Sequence, residues 1–131
     1  MTPHPLLLSS LFLLATTPLA RAEQALDERI KIEAGGAFFA SECQRCHSVT
    51  ADRQTYGPPL ENVIGRRAGS VPDYAYSPAL AQAGFTWTEG ALRAWMEDNQ
   101  AFVPGTKMRH VGVTDPVVQA FILAWLKQPR S

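Results

Sequence analysis

Two cysteines and a histidine at close spacing are the residues of this chain whose types could do chemistry. They lie in the pentapeptide Cys43-Gln44-Arg45-Cys46-His47, and its two cysteines are the only ones among the 131 residues. C-x-x-C-H is the attachment signature of a c-type haem. Both thiols can form thioethers with haem vinyl groups, and His47 would then bind the iron through its imidazole. The motif therefore predicts one haem c, attached covalently through Cys43 and Cys46.

Two other chemistries use cysteine and histidine at such spacing. A structural zinc site usually takes four nitrogen or sulfur ligands, and after residue 22 the chain offers only Cys43, Cys46, His47 and His110. A redox-active dithiol is typical of a βαβ context, and nothing in this sequence reads as a convincing sheet. The pattern favours haem over both alternatives.

A sulfur ligand for the opposite axial position is offered by the segment Pro104-Gly105-Thr106-Lys107-Met108. A methionine is often only a flexible core residue, and Met96, within a predicted helix, fits that description. Met108 instead follows a Pro-Gly turn, so we predict that it is the ligand. A thioether favours ferrous iron and gives a higher potential than two histidines would. His110 is the rival ligand, although a solvated loop histidine is the interpretation that we favour for it.

The first 22 residues resemble a secretory signal peptide. Leu6–Leu14 is strongly apolar and Ala20-Arg21-Ala22 matches an A-x-A cleavage site, but Met1–Pro5 contains no Lys or Arg. The apolar stretch is shorter than the ~20 residues that span a bilayer. We expect a cleaved signal, an exported periplasmic protein and a mature domain over 23–131. A retained membrane anchor is the alternative.

Composition indicates a single globular domain with 46% hydrophobic residues. Its formal net charge is zero, and no cluster of Lys and Arg forms the basic footprint of a nucleic-acid-binding protein. Nucleic acid is therefore not an expected partner.

Helical segments alternate with loops rich in glycine and proline. A first helix is predicted over 26–40, with Ile30, Ala34, Ala37 and Phe38 available for a buried stripe. A long loop over 50–76 and a second helix over 87–99 follow. The N-cap of the second helix is predicted at Thr88, and another loop covers 100–114.

The last helix begins at Asp115-Pro116, an acceptor cap followed by proline at the first helical position. Its apolar face includes Ile122 and Trp125 and requires a packing partner. We expect that partner at Gly35 and Phe39 of the first helix, because glycine lets a second backbone approach closely.

The chain resembles the class I cytochromes c, the family of mitochondrial cytochrome c and bacterial cytochromes c2, over nearly all of residues 27–127. The matching segments besides the attachment site are Tyr56-Gly57-Pro58-Pro59-Leu60, Val63-Ile64-Gly65-Arg66-Arg67-Ala68-Gly69, Phe85-Thr86-Trp87-Thr88, Pro104–Met108 and Ile122–Lys127. The resemblance implies an all-α fold whose helices wrap around one haem.

The resemblance also implies roles for further residues. The backbone carbonyl of Pro58 would accept the Nδ1–H of His47 and fix the imidazole tautomer. A cation and hydrogen-bond donors would surround the buried haem propionates and offset the cost of their burial. The residues that match these positions are Arg66, Tyr76, Trp87 and Thr106.

Three features depart from the mitochondrial pattern. Trp95 replaces a tyrosine whose hydroxyl approaches the methionine sulfur; an indole cannot accept a hydrogen bond, and the sequence leaves open whether it reaches that sulfur. Leu80 replaces a haem-crevice asparagine, which indicates a drier pocket. The chain also has only Lys31, Lys107 and Lys127 in place of a lysine ring, so steering onto a strongly acidic partner is not expected.

The predicted function is one-electron transfer between redox proteins of the periplasm or membrane, by cycling of one haem iron between Fe(III) and Fe(II). We expect a monomer that forms transient complexes and catalyses no reaction of its own. Two alternatives are a permanent haem subunit of a dehydrogenase complex and a haem enzyme of peroxidase type, which would need an open iron position.

Overall fold

The computed structural model describes residues 17–50, 53 and 55–129, and this part of the chain is helical. An isolated antiparallel bridge between Arg67 and Thr86 is its only β-type pairing. The predicted all-α class is confirmed. The apolar stretch Leu6–Leu14 of the predicted signal lies outside the described residues. The helices are α1 (Pro18–Glu42), α2 (Pro78–Ala81), α3 (Glu89–Glu97), α4 (Asn99–Phe102) and α5 (Pro116–Leu126).

Helices α1 and α5 pack against each other, as the sequence predicts. A Cβ atom added to Gly35 would lie 2.6 Å from the backbone carbonyl carbon of Phe121 and 2.9 Å from Trp125 Cβ. The rings of Phe39 and Trp125 are 4.4 Å apart between centroids. The close approach of the two helices therefore depends on glycine at residue 35.

The buried face of α1 differs from the predicted stripe. Gly35 and Phe39 are its buried residues, whereas Ile30 is 52% exposed and Ala37 is also exposed. The helix is also longer than predicted and begins at Pro18, with Thr17 as its N-cap. The contact with α5 decides which face of α1 is buried, because α5 meets α1 at Gly35, where no side chain covers the α1 backbone.

Helix α3 begins after its predicted cap, since Thr88 Oγ1 accepts the backbone N–H of Ala91. Two short helices were not predicted: α2 lies between the predicted loop over 50–76 and α3, and α4 lies mostly within the predicted loop over 100–114. Ser77 caps α2, and the Asp98 carboxylate accepts the N–H groups of Gln100 and Ala101 at the start of α4. Such four-residue helices escape a search for helical periodicity because they span only about one period, and a pattern must repeat to be recognised.

The loop between α1 and α2 folds back over the end of α1. Backbone hydrogen bonds join Gly65 and Arg66 to Trp87, and Ala68 to Phe85. This short ladder holds the loop beside the start of α3. Among the described helices, none combines the length and the apolarity that crossing a membrane would require.

Candidate functional site: one cavity lined by the predicted ligands

All residues that the sequence predicts to bind the cofactor line the same cavity. It contains about 1260 Å³ of space free of protein atoms, counting its open mouth. Helices α1 and α3, the loop after α1 and the segment between α4 and α5 form its walls. The predicted site residues in its lining are Cys43, Cys46, His47, Pro58, Arg66, Tyr76, Trp87, Thr106 and Met108.

The two cysteines lie on a tight turn at the end of α1. The N–H groups of Cys46 and His47 both donate to the carbonyl of Cys43, at 3.1 and 2.9 Å. Both thiols are free and partly buried. Burial, reinforced by the neighbouring Glu42 carboxylate, raises the pKa of the Cys43 thiol to about 12. The raised pKa favours the neutral thiol of Cys43 over the thiolate.

The imidazole of His47 is buried and oriented. Its Nδ1 lies 2.8 Å from the carbonyl oxygen of Pro58. A carbonyl only accepts, so Nδ1 carries the proton and Nε2 keeps its lone pair. Burial lowers the pKa of His47, an effect that the Pro58 hydrogen bond partly opposes and nearby His110 reinforces. The ring is thus held neutral, in the form that binds a metal ion.

The methionine segment is held by side chains of α4. Asn99 Nδ2 donates to the Met108 carbonyl at 2.9 Å, and Gln100 Nε2 donates to the same oxygen at 3.0 Å. Asn99 is buried. The sequence analysis missed both amides, although the capping aspartate just before them could have indicated an ordered turn.

The indole of Trp95 does reach the methionine sulfur. Its Nε1 lies 3.1 Å from Met108 Sδ, which settles the question that the sequence left open. Leu80 and Met96 also line the cavity, and both are buried. Met96 is therefore a core residue, as predicted, but its side chain is a cavity wall as well.

The residues predicted to surround propionates lie around the same cavity. Arg66 donates through both terminal nitrogens, at 2.8 Å each, to the carbonyls of Glu61 and Pro59. Burial raises the pKa of Tyr76, and the Tyr76 hydroxyl accepts the N–H of Val71 at 3.4 Å. Thr106 is only 1% exposed. These contacts brace the loop beside Pro58 in addition to any role toward a cofactor.

His110, the rival ligand, is half-buried and also lines the cavity. Its Nδ1 lies 2.8 Å from the carbonyl of Val111. The zinc alternative requires a group of at least three His, Cys, Asp or Glu side chains that could hold a metal ion. Within the described residues there is no such group. An apolar cavity with two free thiols, a neutral imidazole and a thioether is instead the donor set that fits haem c.

Comparison with known proteins agrees with this donor set. The family model described as Cytochrome c matches residues 32–128.

The chain belongs to the cytochrome c family.

Two relatives are cytochrome c-550 of Nitrobacter winogradskyi, 42% identical over 63% of this chain and 75% of its own, and cytochrome c2 of Rhodopila globiformis, 40% identical over 71% and 88%. A similar solved structure is cytochrome cH from Methylobacterium extorquens. It is 39% identical, has a TM-score of 0.68 and matches over 73% of this chain and 96% of that one.

Membership of this family, and the likeness to cytochromes c2, confirm the predicted class I c-type cytochrome and its covalently bound haem c. Cys43 and Cys46 fit the attachment site. This cytochrome is an electron-transfer protein rather than an enzyme, and it exchanges electrons with redox partners. The dehydrogenase-subunit and peroxidase alternatives are not favoured by these relatives.

Proposed function

We propose that this cytochrome is an exported electron carrier whose haem iron is bound by His47 and Met108. One observation carries the proposal: the oriented, neutral imidazole of His47 and the thioether of Met108 line the same cavity as the two attachment cysteines. The imidazole of His47 and the thioether of Met108 would be the two protein ligands of the haem iron. With both positions filled, the protein exchanges electrons without binding a substrate at the metal.

Each residue has a separate task in this proposal. Cys43 and Cys46 would attach the haem by addition of their thiols to two vinyl groups, which exchanges S–H and C=C π bonds for C–S and C–H bonds with no net oxidation. Pro58 keeps His47 in the tautomer whose Nε2 retains its lone pair for a metal ion. When bound, the haem supplies the Fe(III)/Fe(II) couple. Because the protein holds both His47 and Met108 in place, little rearrangement would accompany electron transfer.

Arg66, Tyr76, Trp87 and Thr106 are proposed to receive the propionates. The guanidinium supplies a positive charge and the others supply O–H or N–H donors, which together offset the desolvation of buried carboxylates. The guanidinium of Arg66 donates to the carbonyl oxygens of Glu61 and Pro59, and these bonds hold the cation at the cavity wall. A cation there also favours the ferrous haem, which has the lower net charge.

Residues 1–22 are proposed to be a signal peptide that is removed on export to the periplasm, leaving the domain 23–131. The described residues 17–22 support this indirectly, because none of them is buried and the first buried residue of α1 is Gly35. Removal of residues 17–22 therefore takes no buried side chain from the core. Mass spectrometry of the periplasmic protein tests the proposal: a first residue at Glu23 is expected, and an intact Met1 would contradict it.

The redox partners are proposed to bind transiently at the cavity mouth, to a monomer of this cytochrome. Lys107 lies at this mouth, but its charge is already engaged by the Ala75 carbonyl and the face of the Tyr74 ring. Glu42 also lines the opening. A weakly charged or partly apolar partner surface fits this mixed rim better than a strongly acidic one.

Ligand assignment is tested with three single variants of the haem-loaded protein: Met108→Ala, Met96→Ala and His110→Ala. The sulfur-to-iron charge-transfer band of the oxidised protein is the measurement. We expect Met108→Ala to lose the band and the other two variants to keep it. A band that survives Met108→Ala would overturn the assignment, and its loss in Met96→Ala alone would move the ligand to Met96.

A further inference from the structure

A second histidine shares the cavity with the two proposed iron ligands. The side chain of His110 is half-buried and lines the same cavity as His47 and Met108. The two imidazoles are close neighbours, since His110 contributes to the lowered pKa of His47. The proposed function, in which His47 and Met108 bind the iron, assigns no task to His110.

The His110 ring is held in a form that can bind a metal ion. Its Nδ1 lies 2.8 Å from the backbone carbonyl oxygen of Val111. Because a carbonyl only accepts hydrogen bonds, Nδ1 carries the proton and Nε2 keeps its lone pair. His47 has the same arrangement with the Pro58 carbonyl, also at 2.8 Å. The cavity is therefore lined by two imidazoles, and each has its Nε2 lone pair available for a metal ion.

The segment that carries His110 is anchored on both sides without the help of the Met108 sulfur. Before His110, the Met108 carbonyl oxygen accepts two side-chain amides of α4. After His110, the backbone N–H of Val113 donates to the Met96 carbonyl of α3 at 2.8 Å. Both anchors are backbone atoms of this segment, so loss of the thioether leaves them intact. His110 therefore remains at the cavity wall when the sulfur is absent.

Two other side chains of the described cavity lining compete with His110 as donors, and both are engaged elsewhere. The ammonium group of Lys107 donates to the Ala75 carbonyl and lies 4.5 Å from the centroid of the Tyr74 ring. An ammonium group has no lone pair to give to a metal. Met96 is buried in the hydrophobic core, and its movement toward a metal would require α3 to unpack.

We propose that His110 is a reserve axial ligand, whose Nε2 takes the place of the Met108 sulfur on ferric haem iron when that sulfur is lost. The proposal rests on the proposed ligation by His47 and Met108. Imidazole suits iron well, whereas a thioether favours the ferrous state. The exchange keeps external ligands away from the iron and lowers the reduction potential, because two histidines give a lower potential than histidine with methionine.

The test compares three ferric, haem-loaded variants of the full chain: Met108→Ala, Met108→Ala with His110→Ala, and Met108→Ala with Lys107→Ala as the matched control. Electron paramagnetic resonance and the absorption spectrum measure the spin state of the iron. We expect low-spin iron in Met108→Ala and in the Lys107 control, and high-spin iron in the variant that also lacks His110. High-spin iron in Met108→Ala, or low-spin iron without His110, would overturn the proposal.

Exogenous imidazole provides a second measurement on the same variants. It should bind the variant without Met108 and His110 about tenfold more tightly than Met108→Ala, because no internal imidazole competes with it. It should also restore the low-spin spectrum of that variant. Equal affinities of the two variants for imidazole would contradict a bond between His110 and the iron.

Retention of the haem does not depend on residue 108, because Cys43 and Cys46 carry the covalent attachment. Met108→Ser repeats the comparison with a second small side chain that lacks sulfur. It should give low-spin iron when His110 is present and high-spin iron when His110 is replaced by alanine. The same spin state with and without His110 would count against the proposal.

Failure of the ligand assignment gives a different result. If Met108 is not the ligand, the sulfur-to-iron band persists in Met108→Ala. If His110 already binds the iron in the parent protein, His110→Ala alone changes the spin state and the potential. If Met108 is the ligand and His110 is not its replacement, the band is lost in Met108→Ala while the spin state is the same with and without His110.

Discussion

The imidazole Nδ1 of His47 lies 2.8 Å from the carbonyl oxygen of Pro58, eleven residues further along the chain. This hydrogen bond crosses the loop that follows the attachment motif. It fixes the plane and the tautomer of the ring before any metal is bound, so the ligand is preorganised. The backbone between the two residues must therefore leave room for the ring, and this requirement falls on Gly57.

Gly57→Ala is expected to displace the His47 ring. A Cβ atom at residue 57 would lie 2.6 Å from Nδ1 and 2.9 Å from Nε2, closer than van der Waals contact allows. We expect a free energy of unfolding lower by about 1–3 kcal/mol, the usual cost of overpacking, and a smaller fraction of secreted protein carrying haem. Denaturant unfolding and the haem-to-protein absorbance ratio measure these. If the free energy of unfolding and the absorbance ratio both equalled those of the parent protein, the loop would accommodate the added methyl group without destabilisation, and the prediction would be wrong.

Gly35→Ala is expected to separate α1 from α5. The added Cβ would meet the backbone of Phe121, which cannot move as a flexible side chain can, and the expected loss is about 1–3 kcal/mol. Gly90→Ala is the matched control, because its nearest neighbour is Thr88 Oγ1 at 3.8 Å. That variant should be unchanged or more stable by up to about 1 kcal/mol. Equal stability of the two variants would contradict the tight crossing.

Asn99→Ala is expected to loosen the methionine segment. The variant removes a donor at 2.9 Å from the Met108 carbonyl, and because Gln100 still donates to that oxygen the lost bond should cost about 0.5–1.5 kcal/mol. The sulfur-to-iron band should disappear at a lower denaturant concentration than in the parent protein, before the helical circular dichroism is lost. Gln128→Ala removes a comparable bond, to Ala124 on α5, and should leave the band unaffected. Simultaneous loss of band and helix in Asn99→Ala would argue against a local role.

The Tyr76 hydroxyl should make the free energy of unfolding decrease in alkaline solution. Burial raises its pKa above the ordinary 10.0, although the Val71 hydrogen bond and Arg66 act in the opposite direction. Between the unfolded and folded pKa values the folded state holds the proton that the unfolded state has released, so stability decreases as pH rises through this window. Tyr76→Phe should flatten the decrease. Unfolding curves below and above pH 10 provide the measurement, and identical slopes in the two proteins would contradict the assignment.

Short-range features of the sequence were sufficient to predict the cofactor and several helix boundaries of this chain. The attachment motif, the caps at Thr88 and Asp115 and the Pro-Gly turn before Met108 each depend on residues within a few positions of one another. For that reason the motif predicted haem c, and the caps predicted where α3 and α5 begin. The resemblance to class I cytochromes c added Pro58, and the structure brings its carbonyl to His47.

The tertiary structure alone decided which atoms of distant residues meet. Helical spacing offered Ile30 and Ala37 for the core of α1, yet both are exposed, since helix–helix packing selects the buried face and spacing does not. Likewise, Trp95 reaches Met108 only because α3 and the methionine segment close on the same cavity. The local sequence determines the type and order of the side chains, but a contact between residues thirteen positions apart depends on how whole segments pack.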